Sequence, residues 1–435
     1  MKSFLKYIIV WLLTLEARLV LAKYRPKVIA VTGSVGKTSA KDAIYTALAE
    51  FAYVRKSEKS FNSDIGVPLA ILGCPNGWQN PLRWVWNMLM GAMLILFPYH
   101  YPSVLVLEVG ADRPGDIRRI ARWLRPDIVV MTRIGKVPVH VEFFKSPKEL
   151  VLEKRALVES LQHGGVAILN GDDEDAALLA AAAPGRVIRY GMLPAGADVL
   201  GSDDEVLYER RGRRKVPLGI SFKVTCGGVM VPVSLHGVLG RQHMYPVLAA
   251  FAVGVAEEYN LVRLAETFRL HETPPGRMRL LSGVKDTTII DDSYNASPVA
   301  VAEALATLGR IDGSGRRIAV LGDMMELGKY SKEAHRLAGE EAAGVCNELL
   351  TVGVRARDIA EGALQAGMGE AAVFQFDNAA EAGKFLERLL REGDVVLIKG
   401  SQAVRMECIV EEIMAEPERA EELLVRQEAN WKRRV

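Results

Sequence analysis

Residues 28–51 hold the feature that most restricts what this chain can be. Val28-Ile-Ala-Val31 is a short apolar run rich in β-branched residues, the mark of a buried strand. Thr32-Gly33-Ser34-Val35-Gly36-Lys37-Thr38 follows directly, and a helical stretch from Ser39 to Phe51 comes next. A strand, a glycine loop and a helix in that order put backbone amides and the positive end of a helix where a phosphate can sit. Gly33 and Gly36 let the backbone close around it, with Ser34, Val35 and Ser39 completing the loop and the first turn. Lys37 adds a point charge for the outer phosphates, and Thr38 offers a hydroxyl to Mg²⁺. The usual spacing wants a glycine where Val31 stands, so this is a shortened variant. The loop predicts a nucleotide site and names no reaction.

The same alternation continues. Val104–Glu108, Ile128–Thr132 and Val166–Asn170 read as buried strands separated by helical or loop-length sequence, the signature of a parallel α/β sheet. Residues 198–237 carry short apolar runs and turn residues, which predict an antiparallel β appendage, with Arg210–Lys215 as a solvated basic turn. After a helix at Tyr245–Tyr259 the Pro-Pro-Gly break at Pro274–Gly276 marks a domain boundary. Strands are then expected at Thr287–Asp291, Arg317–Leu321, Glu348–Val352 and Asp394–Ile398. The helices between them carry Val299–Leu308, Lys332–Gly344 and Ala379–Arg391. The expected fold class is α/β, a central P-loop-type ATP-binding domain with a mainly parallel sheet at 28–273. A Rossmann-like C-terminal domain at 274–435 follows it.

Residues 1–27 stand apart. From Phe4 to Ala22 they are mostly apolar, but Glu16 and Arg18 interrupt the roughly 20 apolar residues a spanning helix needs, and no small-residue cleavage site follows. A helix in the membrane interface or one packed on the protein remain. Leu82–Phe97 is a second apolar stretch, flanked by Trp78, Trp84, Trp86, Tyr99 and Tyr101, which suits an interfacial aromatic belt. A net charge of +2 provides no global field for nucleic acid. Four scattered cysteines without a C-x-x-C pair argue against zinc knuckles and disulfides and for a reducing, cytoplasmic setting.

Further segments carry a resemblance. They are Phe61-Asn-Ser-Asp-Ile-Gly-Val-Pro68, Leu107-Glu-Val-Gly-Ala111, His140 in a V-H-V-E-F segment, Lys154 in L-E-K-R, and Gly276-Arg-Met278. Ile289-Ile-Asp-Asp-Ser-Tyr-Asn-Ala296, Leu321-Gly-Asp-Met-Met-Glu-Leu-Gly328 and Val396-Leu-Ile-Lys-Gly-Ser401 complete the series. With the T-G-S-V-G-K-T loop, in this order, the chain resembles the Mur ligases, and among them the branch that adds D-alanyl-D-alanine. The resemblance implies an ATP-dependent amide ligase of peptidoglycan precursor synthesis that works through an acyl phosphate. Its partners would be a muramoyl-peptide acceptor and D-Ala-D-Ala or a similar amine.

It also implies roles. Lys37, Lys154, His140 and Arg277 would be catalytic. Gly33 to Ser39, Arg277 and Asp292 would bind ATP, Asp292 at the ribose and Arg277 at the phosphates. Thr38, Glu108, His140 and a carbamylated Lys154 would serve two Mg²⁺ ions, carbamylation turning an ammonium into an anionic oxygen donor. Asn62, Asn295, Lys399 and Ser401 would bind substrate. Arg277 and Asp292 would reach ATP by closure of the second domain, which would exclude water from the acyl phosphate.

Three departures from the family pattern stand out. About thirty residues precede the loop, where the family places a UDP-sugar-binding domain. His243 and Pro246 occupy positions where the family has base-associated asparagines. Leu82–Phe97 reads as an apolar insertion. They leave other readings open: a lipid-linked acceptor, amidation or polyglutamylation, and a non-catalytic nucleotide-binding scaffold at the membrane.

Overall fold

Val28, Ile29, Ala30 and Val31 are almost wholly buried, as are all five residues of Val104–Glu108, so the runs that read as strands are sheet centre. The computed structural model describes residues 2–58, 61–78, 80–111, 113–135, 144, 146–212, 214–313, 315–428 and 431. It divides the chain into two units. The first comprises residues 1–202, 223–233 and 244–268; the second comprises 203–222, 234–243 and 269–435.

One sheet has nine strands: β1 Lys27–Thr32, β2 Val54–Lys56, β3 Val104–Glu108, β4 Ile128–Met131, β5 Val166–Asn170, β6 Arg186–Gly191, β7 Val199–Arg211, β8 Arg214–Cys226 and β9 Val229–His236. Their order is β2-β3-β1-β4-β5-β6-β7-β8-β9, and every pairing from β2 to β7 is parallel. Strands β7 to β9 occupy the region read as a β appendage, and each has residues in both units. The helices of the first unit are α1 Lys2–Tyr24, α2 Lys37–Leu48, α3 Gly66–Leu72, α4 Pro81–Leu96, α5 Asp116–Leu124, α6 Pro147–Glu159, α7 Glu174–Leu178, α8 Met244–Ala256 and α9 Leu261–Thr267. The register pairs Val31 with Glu108 and Thr32 with Met131. The glycine loop, Glu108 and the residues after β4 therefore emerge together at the carboxyl ends of the strands, where open α/β sheets build their sites.

The second sheet has six strands: β10 Arg279–Gly283, β11 Thr287–Asp292, β12 Arg317–Gly322, β13 Glu348–Val352, β14 Val373–Phe376 and β15 Val395–Lys399, in the order β10-β11-β15-β12-β13-β14. All pairings are parallel except β10 with β11. That antiparallel edge is an addition to the expected Rossmann-like layout. Its Arg-Leu-Leu-Ser-Gly sequence lacks the continuous apolar run of a central strand.

Both apolar stretches are helices. Asn80 caps α4 by accepting from the Arg83 amide, with Pro81 at the first position. Lys23 at the end of α1 donates to the carbonyls of Leu94 (2.9 Å), Ile95 (3.0 Å) and Phe97 (2.5 Å), a cation closing the carboxyl end of α4. Glu16 is turned into this helix pair. Its Oε2 is buried without a hydrogen-bond partner, and a Cβ on Gly91 would stand 2.2 Å from it, so Gly91 makes the room. Burial pushes the Glu16 carboxyl up to about 7. A carboxyl raised on folding costs stability above its folded value and nothing below its unfolded one. Glu16→Gln should therefore stabilise the protein at about pH 8, by about 1–2 kcal/mol, since the half-exposed carboxylate keeps part of its hydration. The gain should vanish below about pH 4.5, and denaturant melts at the two pH values check it. An equal gain at both would remove ionisation as the cause.

Candidate active site

The loop after β1 is shaped by its glycines. Gly36 caps α2 in the left-handed region (φ 84°), with no side chain satisfying the first amides of the helix. Gly33 has φ +147°, and a Cβ there would lie 1.9 Å from Thr132 Oγ1. The Ser34 and Val35 amides donate to the Arg133 carbonyl at 2.9 and 3.1 Å, which pins the loop to the strand end of β4. Ser34 Oγ is buried with no partner, and it sits beside a helix start whose amides no side chain caps. An orphaned hydroxyl beside an uncapped helix N-terminus is what a phosphate would satisfy.

Two amines meet at one carbonyl of this loop. Lys37 Nζ donates to Gly33 O at 3.0 Å and to Ser34 O at 3.4 Å, and Lys154 Nζ donates to Gly33 O at 2.9 Å. Lys154 lies on α6 and is 2% exposed, so it is no surface lysine. Burial, and then the Lys37 charge, hold its amine well below the usual lysine range, with Glu153 opposing. Glu153 is itself fixed by the Arg118 amide at 3.0 Å.

Glu108 closes the other side. Thr38 Oγ1 donates to its Oε2 at 3.0 Å and Asn62 Nδ2 to its Oε1 at 3.3 Å. A hydroxyl and a carboxylate at the foot of the loop are hard oxygen donors, the set that suits Mg²⁺ beside phosphate oxygens. Among the described residues no three His, Cys, Asp or Glu side chains cluster as a metal cage. His140 lies outside the described residues. Lys154 Nζ is turned to the Gly33 carbonyl, to which it donates. Asn62, expected at the substrate, is engaged with Glu108.

Sequence reasoning missed the groups behind these. Lys41, 2% exposed, donates to Ser57 O at 2.8 Å, and Ser57 Oγ accepts the Glu108 amide at 3.1 Å. Burial lowers the Lys41 amine. Its position one helical turn after Lys37 was the only available signal. Ser57 and Thr132 gave none, because strand pairing alone brings them to the loop.

In the second unit, the register of β11 and β15 sets Asp292 beside Lys399. Lys399 Nζ donates to Asp292 Oδ2 at 2.5 Å and to Asn295 O at 3.1 Å, and the Met278 amide donates to Asp292 Oδ1 at 3.2 Å. Burial raises the Asp292 carboxyl, and Lys399, its nearest charge, opposes this. The Arg277 guanidinium lies 4.3 Å from the centroid of the exposed Tyr294 ring. Ser401 accepts the Met325 amide at 2.9 Å and is 2% exposed. His243 is buried with Nε2 unpartnered, and burial with the nearby His271 and Arg277 charges pushes its imidazole down to about 3. It is neutral at any ordinary pH.

The family description "Mur ligase middle domain" matches residues 88–254, and "Mur ligase, glutamate ligase domain" matches residues 276–402. The chain belongs to the Mur ligase family. Members are ATP-dependent ligases that form peptide bonds, and this Mur ligase is one of them. It is 26% identical, over 92% of its own length and 79% of the relative's, to the UDP-N-acetylmuramoyl-tripeptide–D-alanyl-D-alanine ligase of Bacillus subtilis. The corresponding Escherichia coli enzyme is 27% identical over 88% of this chain and 76% of its own. The fold is that of the MurF ligase of Thermotoga maritima solved with ADP, at a TM-score of 0.74 and 24% identity over 94% of this chain and 84% of that one. No described helix of this Mur ligase is long and apolar enough to cross a membrane.

Proposed function

We propose that this Mur ligase joins D-alanyl-D-alanine to the terminal carboxylate of a UDP-linked muramoyl tripeptide at the expense of ATP. The observation that carries the reading is the convergence of Lys37, Lys154, Thr38 and Glu108 on one uncapped helix start, in a chain whose curated relatives are named for that reaction. An assembled set of this kind favours catalysis over a nucleotide-binding scaffold.

An acceptor carboxylate oxygen attacks the γ-phosphorus, the bond to the β–γ bridging oxygen breaks, and ADP leaves. The amine nitrogen then attacks the acyl carbon and loses a proton, and phosphate departs with the former carboxylate oxygen. Both partners of the first step are anions, so the requirement is positive charge held between them. Lys37 and the first amides of α2 supply it. Thr38 and Glu108 would hold Mg²⁺, which neutralises charge on the phosphates when bound. Burial holds the Lys154 amine well below the usual lysine range, which favours the neutral form, the one that adds CO₂ to give a carbamate and a proton. That carbamate is the anionic oxygen donor a second Mg²⁺ would need. Arg277 and Asp292 are the family's nucleotide-side residues in the second unit. Asn295, Lys399 and Ser401 line the carboxyl ends of β11 and β15, on the amine-donor side. The protein works in the cytoplasm, touching the membrane peripherally through residues 4–22 and 82–97.

ADP formation tests the reading. It should require UDP-muramoyl tripeptide and D-Ala-D-Ala together, and rise when bicarbonate is restored to degassed enzyme. ADP formation indifferent to both substrates would refute the assignment. Indifference to bicarbonate would remove the carbamate alone.

A further inference from the structure

Helices α1 and α4 carry outer faces that no described residue of the first unit covers. On α1, Tyr7, Trp11, Leu15 and Leu19 recur every four residues and are 39–69% exposed, opposite the fully buried Leu13, Ala17 and Val20. On α4, Leu82, Val85, Trp86, Leu89 and Leu96 are 50–78% exposed, opposite Asn87, Gly91 and Leu94. Leu13, Ala17, Val20 and Leu94 join one core cluster, so both outer stripes point away from the same core. A continuous apolar face of this kind marks an interaction surface.

The charges around it say what it meets. Residues 2–25 and 81–97 hold Lys2, Lys6, Arg18, Lys23, Arg25 and Arg83 against a single carboxylate, Glu16. Glu16 is folded inward against Gly91, and Lys23 is spent on the carbonyls that end α4. The other exposed charges, Lys6, Arg18, Arg25 and Arg83, are all positive, as is Lys23. A second copy seated on this face would set cation against cation. An anionic bilayer would pair them with headgroups while the tryptophans and leucines enter the acyl boundary.

We propose that the α1–α4 face seats this enzyme on anionic lipid, with both helices lying in the plane of the interface. The proposal deepens the peripheral-contact reading above and rests on it.

Flotation of the full chain with vesicles of phosphatidylcholine, with and without phosphatidylglycerol, tests it. The mixed vesicles should bind about tenfold more protein than the neutral ones, and added salt should erase most of the difference. Trp11→Ser with Trp86→Ser, both surface changes, should cut binding to the mixed vesicles by about tenfold. Arg18→Gln with Arg83→Gln should abolish the preference for the anionic lipid. Turnover on soluble substrates should be unchanged in all variants, which separates this test from that of the ligase reading. Equal, salt-insensitive binding to both vesicles would overturn the anionic assignment and leave membrane contact standing. Binding to neither, or a dimer in sedimentation that the tryptophan variant dissolves, would overturn both.

Discussion

Lys37→Ala should leave the protein folded and lower kcat for ADP formation by about 10²–10³-fold, the loss that follows removal of one preorganised charge from a transition state. Lys37 stands in the first turn of α2 and is partly solvent-exposed, so truncating it opens no core cavity. Its amine rests on the carbonyls of Gly33 and Ser34, and Lys154 still holds Gly33 O when it is gone. The loop keeps its other anchors as well, the Ser34 and Val35 amides on Arg133 O. What disappears is a positive charge facing the outer phosphates. The effect should fall on kcat more than on KM for ATP, because the helix amides still bind the ground state. Circular dichroism and a denaturant melt matching the parent would confirm that folding is intact. A variant with parental kcat would show that Lys37 serves only to brace the loop.

The parts of this site that were legible in the sequence are local ones. A β-branched run, two glycines and a helical stretch specify the phosphate loop within a dozen residues, and the structure places it between β1 and α2. The parallel strands could be read because buried strands are continuous apolar runs. Strands β2, β6, β10 and β14 could not, being short or only partly buried. What needed the fold was every contact made between elements distant in the chain. Lys154 reaches Gly33 O across 121 residues, and Lys399 meets Asp292 across 107. The family resemblance gives Asp292 to the ribose and Lys399 to the substrate, two separate tasks. The register of β11 and β15 makes them one buried ion pair, so neither can be changed without unpairing the other. Glu16 shows the same limit. In the sequence it interrupts an apolar helix, and in the fold it turns inward onto Gly91, where only packing between α1 and α4 could have revealed it.

Activation of the acceptor carboxylate as an acyl phosphate is written in the fate of the carboxylate oxygens. Muramoyl tripeptide labelled with ¹⁸O in both oxygens of the reacting carboxylate would be turned over with ATP and D-Ala-D-Ala, and the inorganic phosphate and peptide product analysed by mass spectrometry. One carboxylate oxygen becomes the bridge to phosphorus and leaves with phosphate when the amine attacks, while the other stays in the new amide. The expected result is one ¹⁸O in each phosphate released and one in each amide formed. Unlabelled phosphate, with both labelled oxygens still on the acceptor, would mean that ATP is hydrolysed by water and that no acyl phosphate forms.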